Sequence, residues 1–495
     1  MKIKILILSI LLAALAFNSQ AQKEEFKLSS YTPPEYVYKS LDFYYDLSGN
    51  LSREADYYDD SLSSKNIVNY FSTSISPRYS RYSNRANYQG SNDVQLYAGY
   101  SINKDDPYNS SFSSDQYHLQ NGNALKIFYD GQNRFYLAGK RFIEIDPTAR
   151  LITQTTKYTD KSFIGDSLAQ QITTTLWRPE VYLMAPILIG YGRIDNIMDA
   201  RHAIYILDDL KKAGRLSRSF SDEDVISLAT GISKLKNKRF FDSRIRNIEE
   251  LVALDSLLRS AGLNGETDAL FYVTLNDSWN FPGVQNRYSG YRVYGGIDPE
   301  YQLNYNSTRA DWKLSPQGNS KSWESRSSAY MGLMVGYKHE KPISLSWQST
   351  LDVWAGYGIE QNIRKEKMIL PEPWDARVWK TTQQRGNISA VYSVGYYPSS
   401  RTWLKAGINV SGYYYGKGTD KPYGIEESDM HPSVYATAGP DAAAYFYLSP
   451  QLRLEFSGSI SYSYNWAEYK SYLADHYSDN KWYLYLNSRL TYSIF

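Results

Sequence analysis

From Leu452 to Asn465 the chain alternates without interruption. The even positions hold Leu452, Leu454, Phe456, Gly458, Ile460, Tyr462 and Tyr464; the odd positions hold Arg453, Glu455, Ser457, Ser459, Ser461, Ser463 and Asn465. A period of two over this length belongs to an extended strand, in which successive side chains face opposite ways, and excludes a helix. The stretch is roughly twice the usual length of a soluble strand, about 5–6 residues. It suits a strand tilted across a bilayer, which needs about 9–11 residues and often runs further.

The last segment repeats the pattern. Trp482, Leu484, Leu486, Leu490, Tyr492 and Ile494 share one face, broken only by Ser488, while Asn487, Arg489, Thr491 and Ser493 share the other, and Phe495 is the final residue. Long alternating strands ending at an aromatic residue resemble Gram-negative outer-membrane β-barrels. The resemblance implies an antiparallel transmembrane barrel, contact with outer-membrane lipid, and reading of the strand that ends at Phe495 by the barrel-assembly machinery. In that family the terminal Phe usually continues the lipid-facing row; here Ile494 holds that row and Phe495 lies one residue out of phase. The Tyr-rich, Cys-free style of the whole chain is similar to many Bacteroidota outer-membrane proteins, a likeness that names no substrate.

The N-terminus fits export. Lys2 and Lys4 precede an apolar run from Ile5 to Phe17, and Ser19 and Ala21 stand before a cut at Gln22, the pattern of a signal peptide over residues 1–21. With 0 Cys the chain has no lipoprotein anchor, disulfide, Cys-liganded metal or thiol nucleophile. A net charge of +2 argues against a nucleic-acid partner. The 48 tyrosines suit the aromatic girdles of a barrel; the competing reading is a Tyr-rich extracellular β-sandwich.

Along the chain, residues 22–65 read as a solvated periplasmic leader, with Pro33-Pro34 and an acidic stretch through Asp59 and Asp60. Residues 66–192 read as N-terminal barrel strands, beginning near Ile67. Residues 193–262 change to helical spacing. Asp195 is the expected cap of a first helix ending before Gly214; Ser221 precedes the acidic first turn of a second; a third fits Ser243 to Ser260 and closes at Gly262. Residues 263–495 return to strands, the first near Ala269, then Tyr291–Ile297 and Tyr301–Asn306 on either side of Asp298-Pro299. The expected fold is therefore mainly β: an antiparallel transmembrane barrel of about 14 strands, within a range of 12–16, with a small inserted α-helical domain. Tight connections such as Tyr397–Arg401 alternate with long ones over Gly358–Arg385, Tyr415–Ser433 and Ala467–Lys481. In outer-membrane barrels the short turns are periplasmic, which puts the C-terminus and the insert on that side, as a periplasmic domain or a plug.

Gln348, Asp352, Lys405, Asn409, Arg453 and Glu455 fall on the expected lumen face and are the pore-lining candidates. Phe240 and Phe241, between the second and third helices, are candidates for packing the insert against the barrel. The basic run from Lys211 through Arg215, Arg218, Lys234 and Lys236 to Arg246 reads as helix ends and a solvated face, or as a positive mouth for anionic solutes or an acidic partner. Among the histidines, His431 lies near Glu427 and Asp429 in an expected outside loop, too little for a catalytic site. No catalytic, cofactor or metal residues are assigned. The expected function is an outer-membrane pore or export channel for polar solutes or a polymer, with the insert gating, plugging or docking a periplasmic or envelope protein. The alternative is a closed barrel with a structural or interaction role; a barrel-embedded hydrolase ranks below both.

Overall fold

The computed structural model describes residues 26–495, except 59–60, 110–113, 165–166, 238–246, 281–286, 315–317, 371, 374, 400, 422, 425–427, 450–451, 472–473 and 493–495. The signal-peptide reading, Phe240, Phe241 and the terminal Phe495 lie outside the described residues.

Eight strands precede the helices: β1 (Tyr36–Tyr58), β2 (Ser61–Arg85), β3 (Tyr88–Asn109), β4 (Ser114–Tyr136), β5 (Arg141–Ile145), β6 (Thr148–Ile164), β7 (Ser167–Met184) and β8 (Ile187–Asn196). Nine follow: β9 (Tyr288–Lys313), β10 (Ser320–Pro342), β11 (Trp347–Leu370), β12 (Arg377–Ser399), β13 (Thr402–Lys421), β14 (Ser428–Met430), β15 (Ser433–Tyr447), β16 (Leu452–Ser471) and β17 (Ala474–Tyr492). All pair antiparallel in a single 17-stranded sheet.

Three of these strands continue the one before. β5 and β6 run end to end along β4, β7 and β8 run end to end along β9, and β14 and β15 both pair with β13. The 17 strands are therefore fourteen staves in an up-and-down meander. The interruptions fall at Pro147, Pro186 and Pro432, which lack the N–H that a ladder position donates. Their carbonyls still accept, from Gly131 N at 2.8 Å, Asp146 N at 3.2 Å and Glu468 N at 2.9 Å. The sheet thus passes each proline with one bond missing.

The strands differ from expectation in length. The segment read as a leader holds β1 and the start of β2. Leu41, Phe43, Tyr45 and Leu47 do alternate there, but Asp42, Tyr44 and Asp46 interleave with them and tyrosines occupy both rows, which blurs the period. Asp298-Pro299 does not separate two strands: β9 runs through, Pro299 pairing with Met331. The expected long loops are mostly strand, since β11 reaches Leu370 and β12 begins at Arg377. Their polar sequences hide extended structure because both faces meet water.

Four helices fill the insert: α1 (Met198–Lys212), α2 (Asp222–Asn237), α3 (Asn247–Ser260) and α4 (Ala269–Asn280). The fourth corrects the strand expected near Ala269. Its run of apolar residues looks extended, yet Phe271, Leu275 and Trp279 recur every four residues and are buried, and Asp268 Oδ1 accepts from Phe271 N at 2.9 Å as a cap. The cap of α1 also differs: Asn196 Oδ1 takes Met198 N at 2.9 Å, while Asp195 pairs with Arg193 at 2.9 Å. Ser221 and Asp224 form a capping box at α2, Ser221 N donating to Asp224 Oδ2 at 2.8 Å. Gly214 and Gly262 end α1 and α3 at φ +67° and +63°, a conformation that costs glycine little.

The helices bury one core: Ile204 and Leu207 of α1, Leu228 and Ile232 of α2, Leu254 and Leu258 of α3, and Phe271 and Trp279 of α4. Phe26, Leu28 and Tyr31, from the segment before β1, are buried in the same core, and Leu345 of the β10–β11 turn packs against it.

Candidate functional site

The two faces of the sheet separate by parity. On β13, Leu404, Ile408 and Val410 are exposed, while Lys405, Asn409 and Ser411 between them are half-buried. The first row continues around the sheet as Val293 and Ile297 of β9, Met331, Leu333 and Val335 of β10, Phe456 and Ile460 of β16, and Leu484 and Leu486 of β17, all exposed. This belt covers roughly eleven residues per strand. At about 3.3 Å per residue and a tilt near 40° that is roughly 28 Å, close to the band of about 25 Å on a transmembrane barrel. It begins at the turns nearest the helices. At the other end the strands run on beyond it as polar hairpins, for example Gln302–Ala310 against Ser320–Ser328.

The second face is concave. Arg193 of β8 donates to Asn84 Oδ1 of β2 at 2.8 Å and to Arg85 O at 3.1 Å. β2 and β8 are four staves apart, about 19 Å in a flat sheet at roughly 4.8 Å per strand, so the sheet must curl for these groups to meet. Arg385 of β12 likewise reaches Glu300 of β9 at 2.6 Å, three strands away.

At the helical end, one side of this hollow is filled. Glu144 accepts from Arg134 at 2.6 and 2.9 Å and from Arg292 at 3.1 Å. Gln89 accepts from Tyr136 Oη at 2.7 Å and donates to Asn84 at 2.9 Å and Asp195 at 3.0 Å. All of these except Asp195 are buried. Two arginines on one carboxylate satisfy charge and hydrogen bonds together, the condition for burying ions without a large penalty. Further out, Arg385 stacks over the Tyr330 ring at 3.9 Å and bridges Glu300 to Glu360, the latter at 3.4 Å.

The helices lie across the mouth. α2 touches β1, and the turn at Leu28–Ser30, buried in the same core, touches β9 and β10, six and seven staves further along the sheet. Arg401 of the β12–β13 turn meets Asp277 of α4 at 3.2 Å. Arg287, 1% exposed, donates to Ser344 O at 2.9 Å, Trp347 O at 2.8 Å, Leu345 O, and Gln348 Oε1 at 3.3 Å. It bolts the chain leaving the insert to the β10–β11 turn.

All six lining candidates lie on the concave face. Gln348 is sealed there beneath Arg287, donating to Tyr288 O at 2.8 Å, so it serves the rim rather than an open surface. Asp352 pairs with Lys338 at 3.2 Å and Arg453 with Glu455 at 3.1 Å. Lys405 and Asn409 are half-buried on β13. Arg134, Glu144, Arg292, Glu300, Glu360 and Arg385 were missed. Each is one charge in an alternating strand, and only the register between distant strands brings them together.

Among the described residues, several basic side chains of the insert are paired with carboxylates. Arg215 meets Asp268, Arg218 meets Asp224 and Lys236 meets Asp199, each at 2.7 Å. Hydrogen bonds from Arg218 and Arg215 hold the Asp224 and Asp268 carboxyls well below their usual range, each at about 2. His202 is a core residue, stacked on Trp279 with ring centroids 5.0 Å apart. His431 lies 3.8 Å from Glu468, Asp429 is in the β14 ladder, and Glu427 is outside the described residues. Among the described residues no three His, Asp or Glu side chains are placed to hold a metal ion.

No protein-family profile and no curated protein matches the chain. Among solved structures, the chain is similar to the CymD monoaromatic hydrocarbon channel, over 93% of this chain and 89% of that one, with 9% sequence identity and a TM-score of 0.23.

Proposed function

We propose that the chain is an outer-membrane barrel acting as a pore for polar solutes or a polymer, closed at its periplasmic mouth by the helical insert. The observation that supports this most is the insert reaching from β1 to the turns of β9 and β10 at one end of the concave face, over a polar, half-exposed wall backed outside by an apolar belt. Orientation follows from the belt's position. Outer-membrane barrels keep short turns in the periplasm and long extensions outside, and here the belt adjoins the turns on the helical side. The helices hold the rim through polar contacts, chiefly Arg287 and Arg401–Asp277, and through apolar ones, Leu345 of the β10–β11 turn and the Phe26–Tyr31 segment packing on the insert's core. A periplasmic or envelope protein that docks on the insert is the expected opener.

Planar-bilayer conductance tests the proposal. Wild type should conduct little, and Arg287→Ala combined with Asp277→Ala, or replacement of residues 198–280 by a short linker, should give a stable open current. Free conduction by wild type would mean the insert is no gate. No current from any form would favour the closed structural barrel, the reading that the buried Arg134–Glu144–Arg292 network supports.

A further inference from the structure

We propose that the outer half of the lumen holds a binding station for a neutral saccharide, built around Trp379; this rests on the transport reading and names its solute class. A hollow of about 310 Å³ is set into the concave wall where β9 to β12 leave the apolar belt. It is at the small end of ligand sites, roughly 300–1,000 Å³, and suits a short stretch of a glycan rather than a folded partner.

Its chemistry is specific. Gln302, Asn304 and Asn362 bring three carboxamides to one concave surface. Among the described residues no side-chain hydrogen bond ties up any of the three. Each offers a donor and an acceptor side by side, the match for adjacent hydroxyls. Ser328 and Thr381 line the same hollow. Trp379 supplies an aromatic surface beside Ile363, with the Arg364 guanidinium over the ring at 5.0 Å from its centroid and the Tyr423 ring at 6.2 Å. A sugar ring presents hydroxyls at its edge and C–H groups on its face, so it uses both kinds of surface at once.

Charge narrows the class further. Glu324 Oε1 lies 2.7 Å from both Arg326 Nε and Arg364 Nε, and Glu366 lies 3.1 Å from Arg364. The guanidinium charge is therefore already matched, which disfavours a phosphate or a polyanion. An apolar solute would strand the three amides without partners. One row nearer the insert, Arg385 spans Glu300 and Glu360, so a chain leaving the hollow next meets a polar clamp.

The test measures binding by the purified full-length barrel in a zwitterionic detergent without sugar headgroups. Saturation-transfer NMR is run against neutral gluco-, manno-, galacto- and xylo-oligosaccharides, with oligogalacturonate as the anionic comparison. At least one neutral oligosaccharide should bind. Trp379→Ala should weaken it about tenfold, as loss of an aromatic anchor does, Asn362→Ala less, and Trp379→Phe should retain most of the affinity. Heat-modifiable gel migration shows that each variant is folded. No neutral binding up to about 10 mM, binding of the anionic sugar alone, or affinity unchanged in Trp379→Ala would each overturn the station. The readout needs no current, so a barrel that binds saccharide yet never conducts would refute the pore and leave the station standing.

Discussion

At the scale of single residues, the insert depends on a few charged side chains and the hydrogen bonds they make. Arg287 is buried among carbonyls, so removing it leaves several acceptors without donors. Arg287→Ala should destabilise the insert by about 2–4 kcal/mol, and Arg287→Lys, with fewer donors in a less rigid group, should recover only part. Chemical denaturation followed by the helical circular-dichroism signal measures both; an unchanged midpoint for Arg287→Ala would show that the contact adds nothing. Asp224 and Asp268 act through pH. Both carboxyls are at about 2 when folded, against an ordinary value of 3.8. Their contribution is therefore complete above about pH 4 and is lost as pH falls through about 2. The helical signal should weaken over that window, and Asp224→Asn and Asp268→Asn together should flatten the loss while lowering stability at neutral pH. A double variant with the wild-type acid profile would assign the acid sensitivity elsewhere.

At the scale of the strand, alternation decides what each position tolerates. Ile460, exposed near the middle of the belt, and Ser459, beside it on the concave face, are adjacent in sequence and opposite in surroundings. Ile460→Arg should cost on the order of 2–4 kcal/mol in a bilayer, falling toward zero near the interface. Leu454→Arg, close to the rim, should cost less, and Ser459→Arg or Ser457→Arg least. Folding titrations into lipid vesicles would show this order; equal costs at 459 and 460 would mean that the faces are misassigned. The proline interruptions belong to this scale as well. Each removes one ladder bond, and the neighbouring strands continue in register on both sides.

At the scale of the whole molecule, the seam between the first and last strands matters most. Among the described residues β1 pairs with β2 alone and β17 with β16 alone, and both outer edges are exposed, Tyr45 at 67% and Leu486 at 74%. Unpaired backbone groups cost several kcal/mol each inside a bilayer, so in lipid these edges should meet. An even number of staves makes them antiparallel, and matching their apolar rows sets Tyr45 beside Leu486 to within one pleat. The chain has no native cysteine, so Cys at 486 paired with Cys at 43, 45 or 47 should cross-link in membranes; failure at all three would mean an open edge or another partner. Sidedness is tested at Gly214, at the exposed end of α1. A protease site there should resist cleavage in intact cells and yield once the outer membrane is permeabilised. Cleavage in intact cells would place the insert outside and remove the gating proposal.

The sequence alone determined the period of two, the change to helical spacing after residue 193, and the turn glycines at 214 and 262, because these depend on residues a few positions apart. It also carried the strand parity. Eight staves follow the insert and six precede it, fourteen in all, the number the alternation predicts. Only the tertiary structure decided what depends on meetings across the sheet. β1 and the hairpin ends beyond the belt are strands because neighbours pair with them, not because their own polar sequences demand it. α4 is a helix because Phe271, Leu275 and Trp279 have a core to enter. The clusters around Glu144 and Arg385 and the hollow beside Trp379 join residues tens of positions apart. Alternation gives each of those residues its face, but curvature and register, which arise only when the strands assemble, determine which of them meet.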